Sequence, residues 1–461
     1  MAEPWLSTVT KLTEFFSTEH IEASARRTRF VQRASKITGK VFLALVTLGR
    51  WSTPKTTVAQ LAAKAAQLDE PVDLTPAALQ QRMTDRAVAF LRDLLQTAFA
   101  TLHLSGTVCE DGLFGAFGRV HIADSTGFGL PASLKEEFPG AGGSGSKAGA
   151  KIQLVWDYKS HTFEHFALVP WNVPDNKYVE TVVALAQPHS LFVFDLGYFK
   201  LAAFATIAAA QAYFLSRFNH QTRLREVVGG RVQPLDLPRC LAHESRALLE
   251  KAVVLGTGDH VVARLIAVRM PEAIVNERRR QARAIAKKRG YTPSQAHLTL
   301  LAWNLFITNV PATVWPPKTV GLVYSFRWQV ELVFKAWKSG LHLATVTTTT
   351  KHSTLCYLYG RMLLILLTSA LSSPLRATLW QQQRELSLLK LVRHFQAGAD
   401  PWFQALFHSV AQLTRFLARA CASAERLVTK EWRKRPTSAQ SLRESLGSHV
   451  DFFEPALALA A

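Results

Sequence analysis

The sequence predicts a mixed α/β protein with helical regions at both ends. The chain has 461 residues, of which 48% are apolar and 19% charged, a composition typical of a folded protein. Short β-branched runs alternate with helical segments between residues 119 and 220, whereas residues 1–115 and those after 340 show apolar residues at helical spacing. At this length we expect two to four domains.

The first 115 residues are predicted to be helical. Residues 26–48 combine six basic side chains with apolar residues at helical spacing, and Thr75 followed by Pro76 marks the start of a further helix. Two interpretations stay open: a helix-turn-helix whose Gln80, Gln81 and Arg82 face a DNA groove, or a helical bundle with a solvated basic face. We assign residues 1–115 as a helical N-terminal DNA-binding region.

The next region, residues 116–220, has a mixed order of strands and helices. Strands are predicted at "RVHIADST", "AKIQLVWDYK", "TFEHFALVPW", "SLFVFDLGYF" and "AYFLSRFN". One helix is predicted before the fourth strand and one after it. The glycine-rich residues 139–150 are interpreted as a strand connection, because a phosphate-binding loop needs Gly-Lys-Ser/Thr and Gly145 is followed by Ser146.

Residues 221–318 are predicted to form a separate β-rich module. A strongly basic helix, 276–290, interrupts its short strands. We expect this helix to contact the DNA backbone. Its basic residues are Arg278, Arg279, Arg280, Arg283, Lys287, Lys288 and Arg289.

The charge of the whole chain indicates a polyanionic partner. Lys and Arg outnumber Asp and Glu by 54 to 34, which gives a net charge of +20 and favours nucleic acid over a membrane surface. No apolar run approaches the roughly 20 residues that span a bilayer. The four cysteines lie far apart, which argues against a zinc ribbon or a disulfide scaffold and fits a reducing cytoplasm. We therefore expect a cytoplasmic, nucleoid-associated protein without a membrane partner.

Two aspartates are predicted to close apolar strands. Asp124 ends the first strand and Asp195 the fourth, and a charge in that position is costly unless something pairs with it. Each alone is typical of a turn, but two at the ends of neighbouring strands, with a third carboxylate, can hold two Mg²⁺ ions. Such a metal pair supports phosphodiester chemistry. Asp157, at a hairpin, and Asp175, a predicted helix cap, are weaker candidates.

The segment "YSFRWQVELVFKAWKSG", residues 324–340, offers the third carboxylate. On a helix, Tyr324, Arg327, Glu331 and Lys338 fall within an arc of roughly 60°. Most such stripes merely face water. Here a single carboxylate stands among cations and a phenol, which favours a metal ligand flanked by phosphate-binding groups.

The spacing Tyr-x2-Arg-x3-Glu-x6-Lys resembles the signature of the DDE transposases of bacterial insertion sequences, in the insertion sequence four family. "HIADSTGF" and "VFDLGYF" resemble the two Asp-bearing motifs of that family, in the same order. The resemblance covers residues 20 to about 375. It implies a ribonuclease-H-like core in two parts, 116–220 and 319–375, interrupted by the β-rich insertion 221–318. A helical C-terminal region, 376–461, follows.

The resemblance also implies roles for individual residues. A metal-binding triad would hold two Mg²⁺ ions, for which Mn²⁺ can substitute, and three further residues would bind DNA phosphates near the transposon end. Two tryptophans would stack on a flipped base, although a tryptophan on a strand is more often a core residue. The metal-binding triad would be Asp124, Asp195 and Glu331, and the phosphate-binding residues would be Tyr324, Arg327 and Lys338. The tryptophans are Trp303 and Trp328.

The activity that the resemblance implies is cut-and-paste transposition through a hairpin at the transposon end. Its partners would be double-stranded DNA, both terminal inverted repeats and target, and a second copy of the chain in a synaptic dimer. Two alternatives stay open. One is an inactive, transposase-derived DNA-binding regulator, and the other is a two-metal nuclease without strand transfer.

Overall fold

The computed structural model describes residues 3–68, 71–102, 112–142, 146–257, 261–382, 384–407 and 409–430. Its strands are β1 (Arg119–Leu130), β2 (Ala148–Asp157), β3 (Thr162–Pro170), β4 (Ser190–Phe194), β5 (Tyr213–Arg217), β6 (Leu224–Val228), β7 (Arg231–Pro234), β8 (Leu248–Leu255), β9 (Val261–Arg269) and β10 (Trp303–Thr308).

Helices precede, separate and follow these strands in the order of the chain. They are α1 (Glu3–Phe15), α2 (Thr18–Arg27), α3 (Gly39–Val46), α4 (Val58–Ala66), α5 (Pro76–Gln81), α6 (Asp85–Thr101), α7 (Val179–Val183), α8 (Leu201–Ala209), α9 (Leu237–Ala242), α10 (Glu272–Lys288), α11 (Gln295–Leu300), α12 (Pro317–Ser325), α13 (Gln329–Gly340), α14 (Lys351–Gln381), α15 (Leu388–Ala397), α16 (Ala399–Ala405) and α17 (Val410–Leu427).

The strands form one sheet in the order β3-β2-β1-β4-β5-β10-β9-β8-β6-β7. The first three strands along the chain are antiparallel neighbours, whereas β1, β4 and β5 are parallel. Helices connect the parallel strands, as crossover connections require. This five-strand arrangement is the ribonuclease-H-like core, and the predicted fold class is confirmed.

The β-rich segment extends the same sheet. Strand β10 pairs antiparallel with β5 on one side and with β9 on the other, so the sheet continues without a break into residues 221–318. The sequence predicts a separate module there. The hydrogen bonds of β10 instead join these strands to the core, and the predicted domain boundaries stay predictions.

The two faces of the sheet carry separate cores. Side chains alternate along each strand. Ile122 and Val193 belong to the core shared with α13 and α14, which we call the front face. Ala123, Phe192 and Phe194 belong to the core shared with α7 and α8, the rear face. For a residue near the end of β1 or β4, its position in this alternation therefore decides whether its side chain points to the front or the rear face.

The N-terminal helices pack together as a bundle. Thr75 caps α5 and Pro76 opens it, as predicted. The side chain of Gln80 donates to Ser353 Oγ (2.8 Å), and that of Arg82 donates to the carbonyl of Phe30 (3.0 Å). Two of the three side chains expected to face a DNA groove thus contact the protein, which favours the bundle over the helix-turn-helix.

Helix α14 is the long central helix of the C-terminal half. Its 31 residues are long and apolar enough to cross a membrane, but 94% of its most apolar window is buried inside the protein. It packs against α6 and α17. The predicted C-terminal helical region is observed through α17, and residues 431–461 lie outside the described part of the chain.

Candidate active site

Asp124 lies within β1 and not at its end, where the sequence predicts it. The strand continues to Leu130 because it remains paired with β2, where Asp124 faces Leu154. Its pairing with β4, however, stops at Ala123, which faces Phe194. Asp124 is therefore the first residue of β1 beyond the parallel pairing.

Asp195 occupies the corresponding position on the next strand. It follows Phe194 directly and keeps an extended backbone (φ −81°, ψ 167°). By the register Ala123–Phe194, the two aspartates lie side by side, one residue past the last pair. The alternation along both strands turns both carboxylates to the front face.

Glu331 reaches this face from α13. The predicted helix 324–340 is observed as the end of α12, a 3-10 turn at Phe326–Trp328, and α13. Val330 and Phe334 are buried in the front-face core, so this helix packs over the sheet beside β1. Glu331, in its first turn, is half-buried.

Two signature residues contact the aspartates directly. Arg327 Nη1 donates to Asp124 Oδ2 at 2.8 Å, and the Tyr324 hydroxyl donates to Asp195 Oδ1 at 3.3 Å. Tyr324 is buried, and the side chain of Arg327 is 15% exposed. Positions more than 120 residues apart in sequence therefore meet at one site.

The carboxylates of the site outnumber the cations that contact them directly. Burial raises the pKa of Asp124 to about 7, Arg327 and the Ser125 amide oppose that rise, and the charges of Glu331 and Asp195 add to it. Burial alone would lower the pKa of Arg327, but Tyr324 and the three carboxylates outweigh it and raise that pKa. The ionisation of each group thus depends on the others.

The donor set suits a divalent cation. Oxygen ligands from clustered carboxylates are what Mg²⁺ and Mn²⁺ prefer, and a cation would relieve the surplus negative charge around Asp124. In the described part of the chain, no three carboxylate, His or Cys side chains form a ready-made metal site. Arg327 holds one oxygen of Asp124, so a metal would have to displace or share that contact.

Arg217 is a site residue that sequence reasoning missed. It ends β5, one position past Ser216, which pairs with Phe194. The register places it beside Asp195 on the third parallel strand, and its charge acts on the Tyr324 hydroxyl. Its position at the end of an apolar strand, comparable to that of Asp195, is the feature of the sequence from which its role could have been predicted.

The rear face carries a second polar cluster behind the aspartates. Asp175 Oδ1 accepts hydrogen bonds from Ser125 Oγ (3.0 Å), Lys151 Nζ (2.5 Å) and Gln153 Nε2 (2.6 Å). The Tyr198 hydroxyl donates to Gln153 Oε1 (2.6 Å). Asp175 was predicted to cap a helix, but it links the two chain segments that follow Asp124 and Asp195. The polar residues at alternate positions of β2 are the feature of the sequence from which this cluster could have been predicted.

Asp157, the other weak candidate, has a local structural role. Its Oδ1 accepts from the amides of Val120 (3.0 Å) and Lys159 (3.2 Å), and Ser160 Oγ donates to its Oδ2 (2.6 Å). The carboxylate therefore closes the turn between β2 and β3. It lies near the start of β1, away from Asp124 and the candidate site.

The two tryptophans differ in accessibility. Trp303 is buried in the rear-face core with the Arg269 guanidinium 4.4 Å from its ring centroid, which fits the core alternative, and its stacking on a base stays a prediction. Trp328 is 50% exposed and follows Arg327 directly. Lys338, in the last turn of α13, is exposed as predicted for a phosphate ligand.

The basic helix α10 divides into two groups of side chains. Arg278 donates to Asn304 Oδ1 (2.9 Å) and Arg279 to the Leu298 carbonyl (3.1 Å), so both hold the fold, and their predicted DNA contacts stay predictions. Arg280 pairs with Glu277 (2.7 Å). The other four basic residues are exposed and have no ion-pair partner in the described ranges: Arg283, Lys287, Lys288 and Arg289.

The fold and the grouped acidic side chains are those of ribonuclease-H-like nucleic-acid enzymes. The family model of the transposase DDE domain matches residues 115–367, more than half of the chain. The chain belongs to the DDE transposase family. The matched region runs from just before β1 into α14 and contains every residue of the candidate site.

Relatives are similar over nearly the full length. The chain is 28% identical over 417 residues to the transposase of insertion sequence element IS231B from Bacillus thuringiensis subsp. berliner, covering 87% of each. It is 27% identical over 416 residues to that of IS1151 from Clostridium perfringens, covering 86% of this chain and 88% of that one. A structure of the piggyBac transposase synaptic complex with hairpin DNA aligns with a TM-score of 0.47 and 10% identity, over 95% of this chain and 88% of that one.

Proposed function

We propose that this transposase moves an insertion sequence by cut-and-paste transposition, with Asp124, Asp195 and Glu331 as the catalytic triad. The observation that carries the proposal is the register Ala123–Phe194, which sets the two aspartates side by side on the face that α13 covers. A divalent metal pair held there would activate the attacking oxygen and stabilise the leaving one in phosphodiester cleavage.

The cations of the signature then bind and orient the DNA strand. Arg327 contacts Asp124, the strand register places Arg217 beside Asp195, and Lys338 lies about two turns beyond Glu331 on α13. A scissile phosphate would approach the carboxylates past these cations. Arg327 neutralises Asp124 until DNA and metal arrive, and its freed guanidinium fits a phosphate in a two-pronged contact. Tyr324, buried against Asp195, fixes that carboxylate in place.

The later steps use the same groups. A first hydrolysis would expose a 3′-OH, whose attack on the opposite strand makes a hairpin that a second hydrolysis opens. The freed 3′-OH then attacks target DNA, displacing a 3′-oxygen of the target strand. Exposed Trp328, next to Arg327, is placed to stack on a base extruded during the hairpin step.

The deciding experiment separates binding from cleavage with Glu331→Gln. This change removes one ligand charge and keeps the shape of the side chain, so nicking should disappear while end-DNA binding persists or tightens. The readout is a gel that resolves nicked, hairpin and joined products in Mg²⁺. Glu272→Gln, an exposed glutamate of α10, is the matched control and should cleave normally. Nicking by Glu331→Gln at the parental rate would refute the triad.

The same gel decides between the proposal and its alternatives. A DNA-binding regulator would give no nick in the parental protein, and a two-metal nuclease would give nicks without joined products. The proposed pathway predicts both a hairpin and a joined product from one protein preparation.

A further inference from the structure

A second group of cations lies away from the active site, where the helix bundle meets the chain that leaves α13. Arg50 follows α3, Arg361 and Tyr357 lie one turn apart on α14, and Thr347 belongs to the connection between α13 and α14. Both arginines are more than nine-tenths buried, with exposed fractions of 8% and 9%. Thr347 is exposed, so the group reaches the surface through this connection.

Arg50 is held in place but is not neutralised. Its guanidinium lies 3.8 Å from the centroid of the Tyr357 ring, and Nη2 donates to Thr347 Oγ1 (2.7 Å) and to the carbonyl of Pro54. All of these partners are uncharged. Its Nε is buried without a hydrogen-bond partner.

Arg361 has no ion-pair or hydrogen-bond partner within the ranges that the structure describes. Burial lowers its pKa to about 10, and the charge of Arg50 contributes to that decrease. The charge of Arg361 in turn lowers the pKa of neighbouring His342, after the larger effect of burial. Two buried guanidinium groups whose charges oppose each other cost free energy in the free protein, since neither has a counter-charge among the described residues.

The surrounding segments offer no counter-charge. Residues 47–57, the connection 341–350 and the whole of α14 contain neither Asp nor Glu. Asp400 of the adjacent α16 pairs with Lys64 (2.5 Å). Within these described segments no side chain can supply an anion to the site, which favours an anion from outside the chain.

Close helix packing fixes the geometry. A Cβ at Gly360 would lie 2.6 Å from the carbonyl oxygen of Val46, at the end of α3. Only glycine allows α14 to approach α3 this closely, and Arg361 is the next residue of that packed segment. Arg361 also lies one turn from Tyr357, whose ring holds the Arg50 guanidinium, so close packing holds the surroundings of both cations, as a preorganised anion site requires.

We propose that Arg50 and Arg361 form a phosphate-binding site, separate from the active site, that takes one phosphate group entering past Thr347. Two guanidinium groups, each able to donate in a fork, fit the oxygens of one phosphate. The phosphate comes either from the backbone of bound DNA or from free inorganic phosphate. The net charge of +20 makes either anion readily attracted.

The first test measures thermal unfolding of Arg361→Met in low salt without ligand. Removing an uncompensated buried charge should raise Tm by about 1 °C for each kcal/mol gained in a chain of 461 residues, whereas removing a stabilising interaction would lower it. Millimolar inorganic phosphate should raise the Tm of the parental protein and of Arg361→Lys, but not of Arg361→Met. Arg393→Met, an arginine of α15 outside the site, should behave like the parent in phosphate.

The second arm identifies the source of the phosphate. If DNA supplies it, Arg361→Met should reduce the slope of log K against log salt by about 0.9, the value for one phosphate of duplex DNA that is no longer neutralised. A Tm response to phosphate with an unchanged slope assigns the site to free phosphate. A lower Tm for Arg361→Met together with an undiminished phosphate response would overturn the proposal. Neither arm measures cleavage, so the result does not depend on the triad.

Discussion

Arg327 neutralises Asp124 in the protein without DNA. Its guanidinium is the one cation in direct contact with a candidate triad carboxylate among the described residues, and Asp124 still has a pKa near 7. A metal at Asp124 would compete with this contact. The arginine therefore has two successive partners in the proposed reaction, a carboxylate first and a DNA phosphate afterwards.

Arg327→Ala should separate the steps of the reaction. The variant keeps the carboxylates proposed to bind metal but lacks the proposed phosphate clamp, so the first nick should survive better than the hairpin step, in which the strand must be held distorted. The ratio of hairpin to nicked product on a denaturing gel measures this. Lys335→Ala, an exposed cation on the same helix, should keep the parental ratio. An equal decrease of both products would mean that Arg327 serves only to hold Asp124.

The turn between β2 and β3 should make folding sensitive to acid through one histidine. His161 has φ +57°, packs against Trp156 (ring centroids 5.3 Å apart), and its Nδ1 is buried without a partner. Burial, and then the charges of Arg376 and Lys430, hold its pKa well below 6.5. The folded state keeps the ring neutral, whereas the unfolded chain binds a proton below pH 6.5.

The free energy of unfolding should therefore fall as pH falls below 6.5, by at most about 1.4 kcal/mol per pH unit from this residue alone. His161→Asn tolerates the left-handed backbone and should flatten that part of the pH profile in denaturant unfolding. His189→Asn is the control, because His189 has a similar φ of +62° but an exposed side chain. A profile for His161→Asn that parallels the parent below pH 6.5 would contradict this account.

Helix α10 allows a direct test of which cations face DNA. Changing Arg283, Lys287, Lys288 and Arg289 to Gln should flatten the salt dependence of DNA binding by about 0.9 units of slope for each phosphate that is no longer neutralised, with little effect on Tm. Binding titrations over a range of salt concentrations measure the slope. An unchanged slope would leave this half of α10 as a solvated face.

The other half of α10 provides the matched control. Arg278→Gln removes the hydrogen bond to Asn304 on β10 and should lower Tm, while leaving the salt slope of DNA binding as in the parent. A lower slope for Arg278→Gln would return this residue to the DNA contacts that the sequence predicted.

The sequence predicted the fold class and the residues of the signature, because these depend on local patterns. Strand periodicity, helix caps and the spacing Tyr324-x2-Arg327-x3-Glu331 are all visible within a few turns of chain. The continuation of β1 past Asp124 was not visible, since it depends on pairing with β2 across a glycine-rich connection.

Features that depend on register between distant strands were missed for the same reason. The place of Arg217 beside Asp195 and the joining of β10 to β5 both follow from which residues face each other in the sheet. A shift of one residue would turn each side chain to the other face. No local pattern in the sequence specifies that register.

The whole molecule carries a charge that should govern its assembly. Two copies with a net charge of +20 each repel one another, and end DNA neutralises part of that charge while offering two sites to be brought together. Mass measurement by light scattering should therefore find a monomer in low salt without DNA and a dimer with duplexes that carry the inverted repeats flanking the gene. A duplex of unrelated sequence, as control, should give mainly one protein per DNA. A stable dimer in low salt without DNA would contradict the prediction, because protein contacts would then outweigh the repulsion without help from DNA.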